Sequence, residues 1–114
     1  MTNASLAPTR RLRRAAVHLD SRHALAATTT PDGEIVAEEF VADPLLDDAA
    51  LAHEVVRWLG PQDRLFVSGD PDQRTELERT YVGVHHRPEC LIDIDNEGKT
   101  TIRALVEQLC RMER

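Results

Sequence analysis

Histidine exchanges a proton near neutral pH more readily than any other side chain, and two of the five, His18 and His23, flank Asp20. His85 and His86 stand together further along. These types in this spacing offer transition-metal or acid–base chemistry. Adjacent side chains on a strand point to opposite faces, so an extended His85-His86 pair cannot place both rings on one metal. Surface histidines are therefore expected. No Ser-His-Asp or Cys-His nucleophile pattern, phosphate-binding Gly-rich loop or zinc-ligand spacing is present in the sequence. Cys90 and Cys110 are spaced unlike a metal or redox pair and sit in apolar surroundings, which predicts two buried thiols in a reducing cytoplasm. Arg10, Arg11, Arg13 and Arg14 form a basic cluster that can hold phosphate or an acidic partner.

The chain that must carry these groups has 114 residues, 41% hydrophobic and 30% charged, which suits one soluble globular domain. Its formal charge is -6, an argument against a nucleic-acid binder, because neutralising phosphate needs a basic footprint. The charge is unevenly placed. Through Pro31 five arginines face one aspartate, a balance of +4, and the remainder holds nine basic against nineteen acidic residues, a balance of -10. The reading is a flexible basic arm over residues 1–13 ahead of a domain over 14–114, the arm keeping nucleic acid open as a partner. The first 24 residues contain no apolar run of signal-peptide length, and no transmembrane span is expected, so no membrane contact is assigned.

Residues 14–20 alternate as a short strand with Val17 and Leu19 on one face. The stretch His23 to Thr30 is ambiguous, since its alanines favour a helix and its threonines a strand. The turn Thr30-Pro31-Asp32-Gly33 decides for a hairpin into a strand over Glu34 to Val41. Leu51, Val55, Trp58 and Leu59 then make a helical stripe, with Asp47 or Asp48 as cap and Gly60-Pro61 as stop. Leu65 to Ser68 reads as a buried strand. Asp70-Pro71-Asp72 supplies an N-cap, a proline at the first helical position and an acidic first turn, predicting a helix through about Tyr81. Cys90 to Asp95 reads as a further strand. A last helix starts near Thr101 and carries Ile102, Leu105, Val106, Leu109 and Met112. A hairpin meander followed by alternating β and α units predicts an α/β domain with one mixed sheet of about five strands and about three helices.

This order resembles the ribonuclease H-like fold shared by ribonuclease H, RuvC-type resolvases, many transposases and the actin-like ATPases. The residues that carry the resemblance run from Ala15 to Phe40: a strand ending in Asp20, the turn Ser21-Arg22-His23, a second strand, the Pro31-Asp32-Gly33-Glu34 turn and a third strand. For the nucleases the resemblance implies carboxylates converging on one or two divalent metals, Mg²⁺ or Mn²⁺, which stabilise the attacking and leaving oxygens of phosphodiester cleavage. Carried over, the first-strand Asp matches Asp20, the next strand end offers Asp70, the intervening helix offers Glu54, and the last strand offers Asp93, Asp95 or Glu97. Asp20, Asp70 and Asp95 are the catalytic and metal-binding set under that reading. Each has a plainer use: Asp70 as a helix cap, Glu54 on a solvated helix face, and Asp20 as a turn starter. The actin-like branch uses a Gly-rich turn after the first strand, and Ser21-Arg22-His23 contains no glycine, so ATP hydrolysis by this chain is not expected.

The sequence shows no basic channel, and its four aromatic residues, Phe40, Trp58, Phe66 and Tyr81, mostly fall at inward positions. The leading expectation is therefore a cytoplasmic ribonuclease H-like module that acts by protein interaction or regulation, with no cofactor and with a protein partner or a second copy bound. The alternative is a Mg²⁺- or Mn²⁺-dependent nuclease using Asp20, Asp70 and Asp95, with Arg10, Arg11, Arg13 and Arg14 on phosphate. A third expectation is a subunit whose site is completed by oligomerisation.

Overall fold

The computed structural model describes residues 12–20, 23–41, 47–94 and 98–111. Five strands, β1 (Arg14–Asp20), β2 (His23–Thr29), β3 (Ile35–Val41), β4 (Arg64–Gly69) and β5 (Leu91–Asp93), form one mixed sheet in the order β3-β2-β1-β4-β5. β1, β2 and β3 pair antiparallel as a meander, while β4 joins β1, and β5 joins β4, in parallel. The three α-helices among the described residues are α1 (Asp48–Leu59), α2 (Pro71–His85) and α3 (Ile102–Arg111). The α/β class and mixed sheet expected from the sequence are thus observed.

The central strand β1 is covered on both faces, and its alternation sorts the core into two. Ala15, Val17 and Leu19 pack with Leu51, Val55 and Leu59 of α1 and Leu77 and Tyr81 of α2. Ala16 packs on the other face with Ala27, Phe66 and the Leu105 and Leu109 stripe of α3. Burial on both faces explains why β2 is a strand despite its alanines: Ala24, Ala26 and Ala27 are buried, and their small side chains let helices lie close to the sheet. The Pro31-Asp32-Gly33 turn closes as expected, with the Gly33 N–H donating to the Thr30 carbonyl at 2.9 Å and Gly33 at a φ of 89°.

The helix starts follow their sequence signals. Asp47 accepts from the Ala50 N–H at 2.9 Å, and Asp70 accepts from the Gln73 N–H at 3.1 Å with Pro71 opening α2. The end of α2 differs from expectation. It runs to His85, one turn beyond Tyr81, passing through Gly83, and ends where His86 adopts the left-handed cap conformation at a φ of 56°. His85 and His86 are therefore a helix end and not an extended pair. Cys90 lies in a 3-10 turn (Pro88–Cys90), which leaves β5 only Leu91 to Asp93 among the described residues. Cys90 is buried as expected, but Cys110 is exposed, since it stands one residue off the Leu105 and Leu109 stripe of α3. Met112 lies outside the described residues.

A buried polar knot ties the layers together. Gln62 donates from Nε2 to the Thr28 hydroxyl at 2.9 Å and to the Leu59 carbonyl at 2.7 Å, and its N–H donates to the Tyr81 hydroxyl at 2.8 Å. Burial, together with the Cys90 thiol, pushes the Tyr81 hydroxyl up to about 12. Burial also raises the Cys90 thiol, with the Tyr81 hydroxyl acting the other way, so the sulfur stays protonated and unreactive.

Candidate functional site

The C-terminal ends of the parallel strands β1 and β4 meet where Leu19 pairs with Gly69. The Asp70 N–H donates to the Leu19 carbonyl at 2.8 Å, which is possible only because residue 69 is glycine. A Cβ there would stand 1.9 Å from the Leu19 oxygen, and the φ of 108° excludes an L side chain without strain. This close approach brings Asp20 and Asp70 to one end of the paired strands. Their side chains have different surroundings. The Asp70 carboxylate caps α2, whereas Asp20 lines a cleft on the α3 face of the sheet.

That cleft has a volume of about 520 Å³ and is walled by His18 and Asp20 of β1, His23 and Leu25 of β2, Glu39 of β3, and the segment Lys99 to Ile102 that leads into α3. His23 Nε2 lies 2.7 Å from a Glu39 carboxylate oxygen across the β2–β3 ladder, both side chains about half exposed. Thr101 caps α3, its hydroxyl accepting from the Ala104 N–H at 3.1 Å. His18 is 2% exposed, and its Nδ1 lies 2.8 Å from the Ser68 hydroxyl on the facing position of β4. Ser68 also lies 3.5 Å from the Val17 carbonyl, to which it donates. Which group donates in the His18–Ser68 bond follows the tautomer of the ring. Nε2, the other ring nitrogen, is buried, and the Gly98 backbone lies beside the ring. Burial lowers the tendency of His18 to protonate, while the Gly98 backbone and the Asp20 charge pull the other way. The ring therefore stays neutral at physiological pH. Ser68 is itself buried at 4% exposure, so its hydroxyl orients the His18 ring out of reach of a substrate.

A second carboxylate site lies across β5. Asp93 and Glu78 of α2 line a hollow of about 370 Å³ with Pro71, Arg74 and Thr75. Burial, a hydrogen bond to Asp93 and repulsion from its charge push the Glu78 carboxyl up to about 7, with Arg74 opposing. Arg74 itself donates to the Ile94 carbonyl at 3.2 Å and so holds the end of β5.

The remaining residues singled out from the sequence disperse. Glu54 lies in a groove with Phe40, His53, Arg57 and Trp58, on the α1 face and away from Asp20. Asp95, Glu97, Arg10 and Arg11 lie outside the described residues. Arg14 does not belong to the basic surface: it is buried in β1, and its guanidinium donates to the Leu109 carbonyl at 2.9 Å, closing the C-terminal part of α3. The Arg13 backbone is also tied down, with its N–H donating to Asp63 at 2.7 Å. Among the described residues no group of three or more His, Cys, Asp and Glu side chains is arranged to hold a metal ion. No helix among them is long and apolar enough to cross a membrane.

Two pairs escape the sequence, His18 with Ser68 and Glu78 with Asp93. The signal available for His18 is its position between Val17 and Leu19 on a strand covered on both faces, which buries the intervening side chain too.

No protein-family model and no curated protein matches the chain. The fold is similar to that of the crystal structure of Archaeoglobus fulgidus Pelota, a protein described as showing inter-domain structural plasticity, with a TM-score of 0.60 and 13% sequence identity. The likeness covers 96% of this chain and 34% of that one, so the chain spans about a third of the Pelota length. At that identity the similarity is one of fold.

Proposed function

We propose that the chain is a ribonuclease H-like module of the cytoplasm that acts by binding another protein or a second copy of itself, and not by cleaving phosphodiesters. The single observation that carries this reading is the divergence of the carboxylates at the strand ends. Asp70 is engaged as the cap of α2, Asp20 lines the α3 cleft, and Asp93 faces Glu78 across a third surface. A two-metal site needs such groups converging on ions about 4 Å apart.

Other features support the reading. The meander of β1 to β3, joined to two parallel strands on the far side of β1, agrees with the ribonuclease H-like resemblance. β3 is an edge strand of seven residues that exposes Val36 and Val41 beside Glu38 and Glu39. Acidic side chains protect such an edge from its own kind while leaving it open to a basic segment. Two unpaired cysteines agree with a reducing compartment.

The test is cleavage of single- and double-stranded DNA and RNA by the full chain with Mg²⁺ or Mn²⁺. No metal-dependent cleavage is expected. Cleavage that Asp20→Asn abolishes would establish the nuclease instead.

A further inference from the structure

β3 closes one side of the sheet, and among the described residues no strand pairs with it beyond β2. The turn that precedes it fixes which of its backbone groups are used. The Thr30 N–H donates to the Glu34 carbonyl at 2.8 Å, and the register runs on from that pair, so Val36, Glu38 and Phe40 are hydrogen-bonded to Thr28, Ala26 and Ala24. The N–H and C=O groups of Ile35, Ala37, Glu39 and Val41 therefore point away from the sheet. Phe40, on the α1 face of β3, also forms one wall of a groove of about 720 Å³. The other wall is a flank of α1, where Ala50, His53, Glu54, Arg57 and Trp58 recur at helical spacing. Phe40 and Trp58 meet edge to face, their ring centroids 5.7 Å apart. A side chain directly opposite Phe40 on an added strand emerges on the same face, beside this groove.

The charge of this edge selects its partner. Residues 31–41 contain Asp32, Glu34, Glu38 and Glu39 and no lysine or arginine, and all four carboxylates belong to exposed residues. A second copy meets an obstacle: the register that pairs all seven residues of β3 with their symmetry mates sets Glu38 against Glu38, and like charges directly opposite destabilise a ladder. Nucleic acid is repelled by the same carboxylates. An extended basic segment meets neither obstacle. We propose that β3 binds an extended segment of a partner protein, bearing lysine or arginine, as a further strand of the sheet. Its backbone bonds to Ile35, Ala37, Glu39 and Val41, its basic side chains lie beside Glu38 and Glu39, and an apolar side chain enters the groove at Phe40 and Trp58. Val36 and Val41, 42% and 69% exposed, give the added strand an apolar neighbour on each face. This inference rests on the protein-interaction reading above and adds to it the surface, the mode of contact and the chemistry of the partner.

The experiment titrates the isotope-labelled full chain with a capped octapeptide of alternating lysine and valine. Binding is read by the fluorescence of Trp58, the single tryptophan, and by amide hydrogen exchange. Saturable binding is expected, with exchange slowed at Ile35, Ala37, Glu39 and Val41 and little changed at Val36, Glu38 and Phe40. A peptide of alternating glutamate and valine is expected to bind at least about tenfold more weakly, and Glu38→Lys is expected to weaken the lysine peptide by a similar factor. Ala37→Pro removes an outward N–H while leaving the bonds to β2 in place, and is expected to abolish binding. Glu38→Lys, an exposed substitution, keeps the test decisive if the proline variant does not fold. The proposal is overturned if the lysine peptide gives no saturable change, if the glutamate peptide binds as tightly, or if either variant folds and binds as the wild type does. Slowed exchange at the four outward amides in the free chain also overturns it, giving the edge to a second copy where the slowing rises with protein concentration and to another segment of this chain where it does not. These outcomes concern the edge alone. The interaction reading falls instead on metal-dependent cleavage that Asp20→Asn abolishes.

Discussion

Replacing Glu78 by glutamine removes the charge, and keeps the shape, of a carboxyl group that shares a hydrogen bond with Asp93. In the folded chain the Glu78 carboxyl is raised from an ordinary 4.5 to about 7, first by burial and then by Asp93. A group that holds its proton more tightly when folded adds stability that is complete below the unfolded value and is lost as pH rises through the folded one. Wild-type stability should therefore fall between about pH 4.5 and 7 from this group. A tenfold change in proton affinity is worth about 1.4 kcal/mol, which sets a ceiling of about 3 kcal/mol. Glu78 retains some solvent contact and Arg74 offsets part of the repulsion, so about 1–2 kcal/mol is the expected size. Glutamine donates to Asp93 at every pH. The measurement is urea unfolding of both proteins from about pH 4 to 8, taken as a difference so that all other titrations cancel. The difference should be near zero at the acid end and favour Glu78→Gln at the alkaline end. A difference that does not change with pH would refute the pairing of Glu78 with Asp93.

Further expectations concern the groups around the sheet edge. His18 acts with the opposite sign: its folded state resists protonation, so stability complete above about pH 6.5 is lost as pH falls below it, and a His18→Gln variant should flatten that limb of the unfolding curve. Gly69→Ala should cost about 3 kcal/mol or more, or prevent folding, because its Cβ meets the Leu19 backbone; chemical denaturation reads the loss. Asp70→Ala should cost about 1 kcal/mol through the lost cap, and Asp70→Ser should restore most of it, which a metal-ligand role would not allow. Arg14→Ala should cost about 2 kcal/mol and increase protease cleavage within α3, since the Leu109 carbonyl loses its donor.

Much of the fold is legible in the sequence because its signals are local. Asp47 and Asp70 announce helix starts within three residues of the amides they cap, and Pro31-Asp32-Gly33 turns β2 into β3 whatever the alanines prefer. What escapes the sequence depends on contacts distant along the chain. The Arg14 side chain belongs with its arginine neighbours by sequence, and only the docking of α3 turns it inward to Leu109. The His18 ring meets Ser68 because β4 pairs with β1 in one particular parallel register, which no local pattern specifies. Glu78 and Asp93 lie on a helix and a strand joined through a 3-10 turn, and neither position stands out alone. The end of α2 lies beyond its expected place because a histidine, not a glycine, takes the left-handed cap.

The central claim is that Asp20 and Asp70 share one end of the paired strands without sharing a ligand. Mn²⁺ titrated into the labelled full chain tests it directly, because a bound paramagnetic ion broadens the amides around it. No equimolar addition is expected to broaden the Asp20 and Asp70 amides together. Joint broadening of both at equimolar Mn²⁺, lost in Asp20→Asn, would show a shared metal site and contradict it.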